Sequence, residues 1–207
     1  MAILLFIQRG SMVKISFIIQ TILLIVFLFI TSNAVMVMSA SATTVTLSPS
    51  DMDVSIYQRY PDTNFGTDAL AVCSYLKSGT QYRNVRGLIY FDLSSIPTGA
   101  TITSANLYLY SGYGDTVSSI IDIHRVTVPW TEAATWNKKD GSIGWSTPGG
   151  DYDPAVIGSV TTKTTPYWAN YDVRSSVQSF VDGIPNYGWL LKDYQENSSV
   201  SKADGYK

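Results

Sequence analysis

The chain has 207 residues, of which 14 are Lys or Arg, 16 Asp or Glu, one His and one Cys. Without the first 42 residues, read below as a leader, 12 basic side chains stand against 16 acidic ones, a net charge of −4. That balance argues against a nucleic-acid partner, which calls for a basic face, and against charge-driven docking on an anionic membrane. A lone cysteine excludes an intrachain disulfide, so the remaining 165 residues must be held by a core, and a domain of that size buries roughly 70% of its unfolded surface.

From the N-terminus, Ile15–Ile30 is an almost unbroken apolar run, interrupted only by Ser16, Gln20 and Thr21. Lys14 supplies a positive flank, and the small residues of SASA, Ser39–Ala42, supply a cleavage site. Residues 1–42 are therefore expected to be an export signal cut before Thr43, with Met12 the better start, since it gives a leader of 31 residues. The competing reading is an uncleaved anchor, because about 20 apolar residues span a bilayer. Either way the protein is expected outside the cell, secreted or at the surface.

Beyond the leader the apolar period is two. Strands are expected at Thr43–Leu47, Ala69–Leu76, Arg86–Leu93, Ile102–Tyr110, Ser119–Val128 and Tyr187–Lys192, where β-branched and aromatic residues alternate with polar ones. Stretches such as YPDTNFGTD, SGYGD, STPGGDYDP and GIPNYG separate them, with the Gly, Pro, Asn and Asp content of turns. Short strands without intervening helices predict a single all-β domain, an antiparallel β-sandwich. In DVRSSVQSFVDG, Val173, Val177, Phe180 and Val181 fall at helical spacing, which predicts one short helix from about Arg174 to Asp182, stopped by Gly183 and Pro185.

Within RGLIYFDLSSIPTGATITSANLYLY, Leu88, Tyr90 and Asp92 fall on one face of the first strand and Ile89, Phe91 and Leu93 on the other; only one face needs to be core. Phe91 and Leu107 are expected inside. Leu107 and Leu109 alternate with Tyr108 and Tyr110, so a tyrosine face looks outward or toward a covering loop. The break at Ser94–Ala100 suits a wide turn or a crossing between sheets. Cys73, within ALAVCSYL, is expected to be a small buried hydrophobe.

No G-x-S-x-G or H-E-x-x-H pattern is present, and the single His124, following Ile121 and Ile123 in alternation, is expected to point outward. Glycosidase chemistry needs two carboxyl groups roughly 5–10 Å apart; the best pair on paper is Glu132 with Asp151 or Asp153. The expectation is a non-catalytic protein. Sugar rings present flat C–H faces that lie on exposed Trp and Tyr, and all five tryptophans fall between residues 130 and 189. Trp189 reads as core, and Trp130 and Trp136 as packing a loop onto the sandwich. Trp145, Tyr152, Trp168 and Tyr113 are the candidate glycan platform. Hard cations need several oxygen ligands held by a turn; GGDYD offers Asp151 and Asp153 as ligands of a structural calcium ion, and PDTNFGTD offers Asp62, Asn64 and Asp68. Asn197 opens NSS, a glycosylation sequon.

Five blocks in order, RGLIYFDLSSIPTGATITSANLYLY, IHRVTVPWTEAATWN, WSTPGGDYD, YDVRSSVQSFVDG and NYGWLLKD, resemble the DNRLRE domain, or disaggregatase-related repeat, of exported proteins from methanogenic archaea and bacteria. The resemblance implies a jelly-roll β-sandwich over residues 43–207, related to carbohydrate-binding modules; some archaeal members are joined to an enzyme that breaks down the polysaccharide holding cells together. The chain departs from the pattern at SVSKADGYK, Ser199–Lys207, which is similar to the family's penultimate segment without the final apolar strand. A truncated sandwich is thus expected, with an open C-terminal edge that invites a strand-pairing partner. Three functions follow in order: a module binding polysaccharide of the envelope or extracellular matrix, a structural surface protein without glycan recognition, and a depolymerising enzyme.

Overall fold

The computed structural model describes the backbone of residues 2–4, 7–9, 11–20, 42–48, 50–74, 76–77, 81–82, 84–112, 118–197 and 202–205. In chain order the strands are β1 (Ala2–Leu4), β2 (Ile7–Arg9), β3 (Ser11–Gln20), β4 (Ala42–Leu47), β5 (Met52–Tyr57), β6 (Ala71–Ser74), β7 (Leu76–Lys77), β8 (Gln81–Tyr82), β9 (Val85–Tyr90), β10 (Thr101–Ser111), β11 (Ile120–Val126), β12 (Tyr152–Thr161) and β13 (Tyr167–Asp172). The helix α1 (Arg174–Val181) follows, then β14 (Trp189–Asp193) and β15 (Lys202–Gly205). The front sheet runs β1-β4-β3-β10-β13, with β2 beside β3, and the back sheet runs β12-β11-β14-β9-β6-β15, with β5 beside β9. Pairing is antiparallel throughout except for the single parallel contact of β1 with β4. The strands β7 and β8 form a separate ribbon. This is the all-β sandwich that the alternation predicts. Among the described residues no helix is long and apolar enough to cross a membrane.

The chain goes from β9 in the back sheet to β10 in the front sheet, so Ser94–Ala100 is a crossing between sheets, folded by the bonds Ile96 N–H to Leu93 O (2.9 Å) and Ala100 N–H to Pro97 O (3.1 Å). Strand β10 places Ile102, Ala105, Leu107 and Leu109 inward, against Phe91, Ile89, Ile121, Ile123 and Leu191 from the back sheet side. Phe91 and Leu107 are fully buried, as the alternation predicts. Helix α1 seals one end with Val177, Phe180 and Val181. It is joined to the start of β10 by Gln178, which accepts from Ile102 N–H (2.7 Å) and donates to Ala100 O (3.1 Å). Gly183, at φ +105°, ends it in a conformation that side chains disfavour. Trp189 is core as expected; its indole N–H donates to Ser176 Oγ (2.9 Å), and its ring lies 5.8 Å from Phe180 and 6.4 Å from Phe91.

The back sheet buries both of its faces, which corrects the expectation that one face suffices. On the side away from the sandwich core, Val54, Ile56, Leu88, Val126 and Leu190 meet Trp130, Ala134, Trp136 and Trp145 from the long connection after β11. Strands buried on both faces read as continuous apolar runs, and Leu88-Ile89 and Leu190-Leu191 are such runs. His124 is accordingly not at the surface: it points away from the sandwich core, as alternation requires, but lies 5% exposed under this second apolar layer. Cys73 is half-buried rather than buried, in register with Val85 on one side and Ala203 on the other.

Candidate functional site

The second layer is fastened to the back sheet by Arg86. Its guanidinium grips Glu196 with two bonds, Nε to Oε1 (2.7 Å) and Nη2 to Oε2 (2.6 Å), and donates a third from Nη1 to Gly149 O (2.6 Å). It lies against Trp136 at 4.9 Å and Tyr152 at 5.3 Å from the ring centroids, within reach of a cation–π attraction. Burial alone would lower the guanidinium's pKa, but the hydrogen bonds and charge of Glu196 more than reverse it and the pKa is raised. Gly149, at φ +99°, leaves no room for a side chain: a Cβ would fall 2.7 Å from Arg86 Nη1 and 2.9 Å from Trp136. The GG dipeptide is therefore a close-approach device.

The sequence-predicted residues of this region take structural places. Trp145 is 6% exposed and donates its indole N–H to Thr135 O (2.9 Å). This corrects its reading as an exposed platform residue, because the side chain is almost wholly buried. Asp151 accepts from Ser146 N–H (2.9 Å) and Thr147 N–H (3.1 Å), one with each carboxylate oxygen. Asp153 accepts from Ala155 N–H (3.0 Å) and Arg125 Nη2 (3.0 Å), and these two bonds, the backbone one first, hold its pKa below the ordinary carboxylate value. The Asp62 and Asn64 loop is likewise occupied, Asn64 donating to Glu132 O (2.6 Å) and Ala134 O (2.9 Å) and Asp62 accepting from Asn137 (3.2 Å). Among the described residues no three His, Cys, Asp or Glu side chains converge.

His124 Nδ1 sits 3.1 Å from both Asp153 O and Ala155 O; two carbonyls can only accept, so Nδ1 carries the proton. Burial is the main cause of its lowered pKa. Its ring lies tilted against Tyr152, the centroids 5.0 Å apart at 57°. Tyr152 itself is half-buried and lines a shallow cleft of about 500 Å3 with Thr127, Thr147, Pro148 and Asp151.

Trp168 lies on the other side of the sandwich. In the pairing of β10 with β13, Leu109 and Leu107 stand opposite Ala169 and Tyr171 on the core face, so Tyr110 opposite Trp168 and Tyr108 opposite Asn170 fall on the outer face of the front sheet. Tyr108, Tyr110 and Trp168 are half-exposed and Asn170 is exposed. The Tyr110 and Trp168 rings stand 5.2 Å apart at 55°, a tilted cross-strand pair of the kind that stiffens a sheet.

Residues 43–204 match the model of carbohydrate-binding module family 96. The chain belongs to this family. Among curated proteins none matches it. For a carbohydrate-binding module the geometry separates what the sequence groups together: Trp168 is on the outer front face, Tyr152 is in the cleft beside the second layer, Trp145 is core, and Tyr113 lies outside the described residues. Beside Trp168 on that face stand Tyr108 and Tyr110, which were not among the candidate residues. Their signal was present in the alternation with Leu107 and Leu109, and what was missing was their partner strand, β13.

Proposed function

We propose that this carbohydrate-binding module is exported and non-catalytic, and that it holds polysaccharide of the cell envelope or extracellular matrix on the outer face of its front sheet. The observation that carries the reading is the Tyr110–Trp168 pair, half-exposed and in register across β10 and β13, with Tyr108 and the exposed amide of Asn170 one step along. Sugar C–H faces stack on the rings while hydroxyls bond to the amide. Each ring contributes on the order of 1 kcal/mol beyond area burial. Two or three such contacts supply about 2–3 kcal/mol, short of the roughly −4 kcal/mol of millimolar binding, so retention depends on repeated sites along a polymer.

A non-catalytic role is supported by the engagement of His124, Asp151 and Asp153 in the structural bonds described above. Calcium at Asp151 and Asp153 belongs to the reading only if the ion displaces those donors, and melting with and without a chelator tests it. The finer kinship with disaggregatase-related repeats rests on the five sequence blocks.

The test is affinity electrophoresis through gels containing envelope or matrix polysaccharides. Trp168→Ala and Tyr110→Ala are expected to lose retention, with stability lowered only by the roughly 1 kcal/mol of the cross-strand pair. Loss with Tyr152→Ala alone would move the site to the cleft, and no retention of the unsubstituted protein by any such polymer would leave the structural reading in its place.

A further inference from the structure

The family match begins at Thr43, yet the strands it covers do not by themselves make a continuous front sheet. Strand β10 pairs with β13 on one side, and on the other its partner is β3. Strand β4, the first of the matched segment, reaches the sheet only through β3 and, at one residue pair, β1. Between β4 and β10 there is thus one strand-wide slot, and what fills it comes from outside the matched residues.

We propose that this slot is a strand-acceptor site and that its occupant is Ser11–Gln20 of the same chain, so that a segment the sequence presents as an export address is also an integral strand. Three observations agree. The pairing is extensive: β3 is in register with β10 from Gln20 opposite Thr101 to Val13 opposite Leu109, and with β4 from Gln20 opposite Ala42 to Ile15 opposite Leu47. The register is also the one that hydrophobic patterning selects. Val13, Ile15, Phe17 and Ile19 stand opposite Leu109, Leu107, Ala105 and Ile102, the four buried apolar residues of β10, whereas Lys14 and Ser16 stand opposite Tyr108 and Asn106, which are half-exposed. Finally, Val45 and Leu47 of β4 pack on the main core, and backbone pairing through β3 is what keeps them there. An empty slot would expose unpaired N–H and C=O groups along both β4 and β10.

This inference is independent of the glycan site and concerns the chain that retains residues 1–42; a cut before Thr43 would empty the slot. The test uses the full chain. With Cys73 replaced by Ser, the pair Ser16→Cys and Asn106→Cys places two thiols on directly opposed residues, whose Cα separation in an antiparallel ladder suits a disulfide. Mild oxidation is expected to give one intrachain cross-link, seen as a gel shift lost on reduction. Hydrogen exchange on the unsubstituted chain is the companion measurement: peptides covering residues 11–20 and 101–109 are expected to be protected together, and Ile15→Pro to abolish protection in both. Free exchange of residues 11–20 in the folded protein would overturn the proposal. A cross-link found only between two chains would also overturn it, since the slot would then take the strand of a second copy.

Discussion

Replacing Arg86 by Met probes what holds the second apolar layer. The Arg86 and Glu196 side chains are 12% and 7% exposed, so the substitution leaves a nearly buried carboxylate with Lys192 at 3.4 Å as its remaining ion-pair partner and deprives Gly149 O of its donor. Breaking a buried ion pair from one side costs about 3–5 kcal/mol, because the charge left behind is at best partly compensated. At about 2–4 °C per kcal/mol for a domain of this size, the melting temperature should fall by roughly 6–20 °C. Circular dichroism or calorimetry reads the change. The double variant Arg86→Met with Glu196→Leu is expected to recover most of it, since the pair is replaced by apolar volume. A single variant melting with the unsubstituted protein, or a double variant no better than the single one, would refute the view that Arg86, held by Glu196, fastens loop to sheet.

Trp145→Ala should cost about 3–5 kcal/mol as a core truncation, visible in urea unfolding, whereas Trp168→Ala should cost only about 1 kcal/mol and act chiefly on binding. Gly149→Ala forces a side chain into a left-handed conformation against Arg86 and Trp136, and is expected to destabilise by about 1–3 kcal/mol in the same assay. Acidification should weaken the fold through His124. Burial lowers its folded pKa against the opposing pull of the Asp153 and Ala155 carbonyls and the charge of Asp122, with Lys192 adding to the lowering. The unfolded chain therefore takes up the proton more readily. Stability from this group is whole above about pH 6.5 and is lost as pH falls from there to the folded value. Melting temperatures from pH 7.5 to 5 should show the decline, and His124→Gln should flatten it.

Alternation made β4, β9, β10, β11 and β14 legible, and the 3.6-residue spacing of Val173, Val177 and Phe180 gave the helix to within a residue. Several strands were not legible, among them β5, β12 and β13, each for a local reason, while β1, β2 and β3 lie in the stretch read as a leader. Strand β12 carries Pro154 and Gly158 and lies at the edge of its sheet with two register irregularities against β11, and edges and bulges are where strands tolerate such residues. Strand β13, YWANYD, is short and also at an edge. The alternation of β5, MDVSIY, is blurred because Val54 and Ile56 bury on one face while Ser55, also buried, serves the other by accepting from Ala71 N–H. The site was legible as residue types but not as places. A tryptophan in a polar loop looks the same in sequence whether the loop is free or folded back as a second layer. Only the paired apolar residues on both faces of β9 and β14 hint at the latter.

That second layer gives the domain a direction. With the back sheet covered on both sides, the described residues offer a broad outward-facing sheet surface only at the front, where Tyr108, Tyr110 and Trp168 lie. A polymer lying there meets the module from one side and leaves the Arg86-fastened loops facing the opposite way. Bound copies along one polysaccharide chain would then all turn their loop sides outward, giving a coated strand an outer surface made of loops, whose exposed residues can change without disturbing the face that touches sugar.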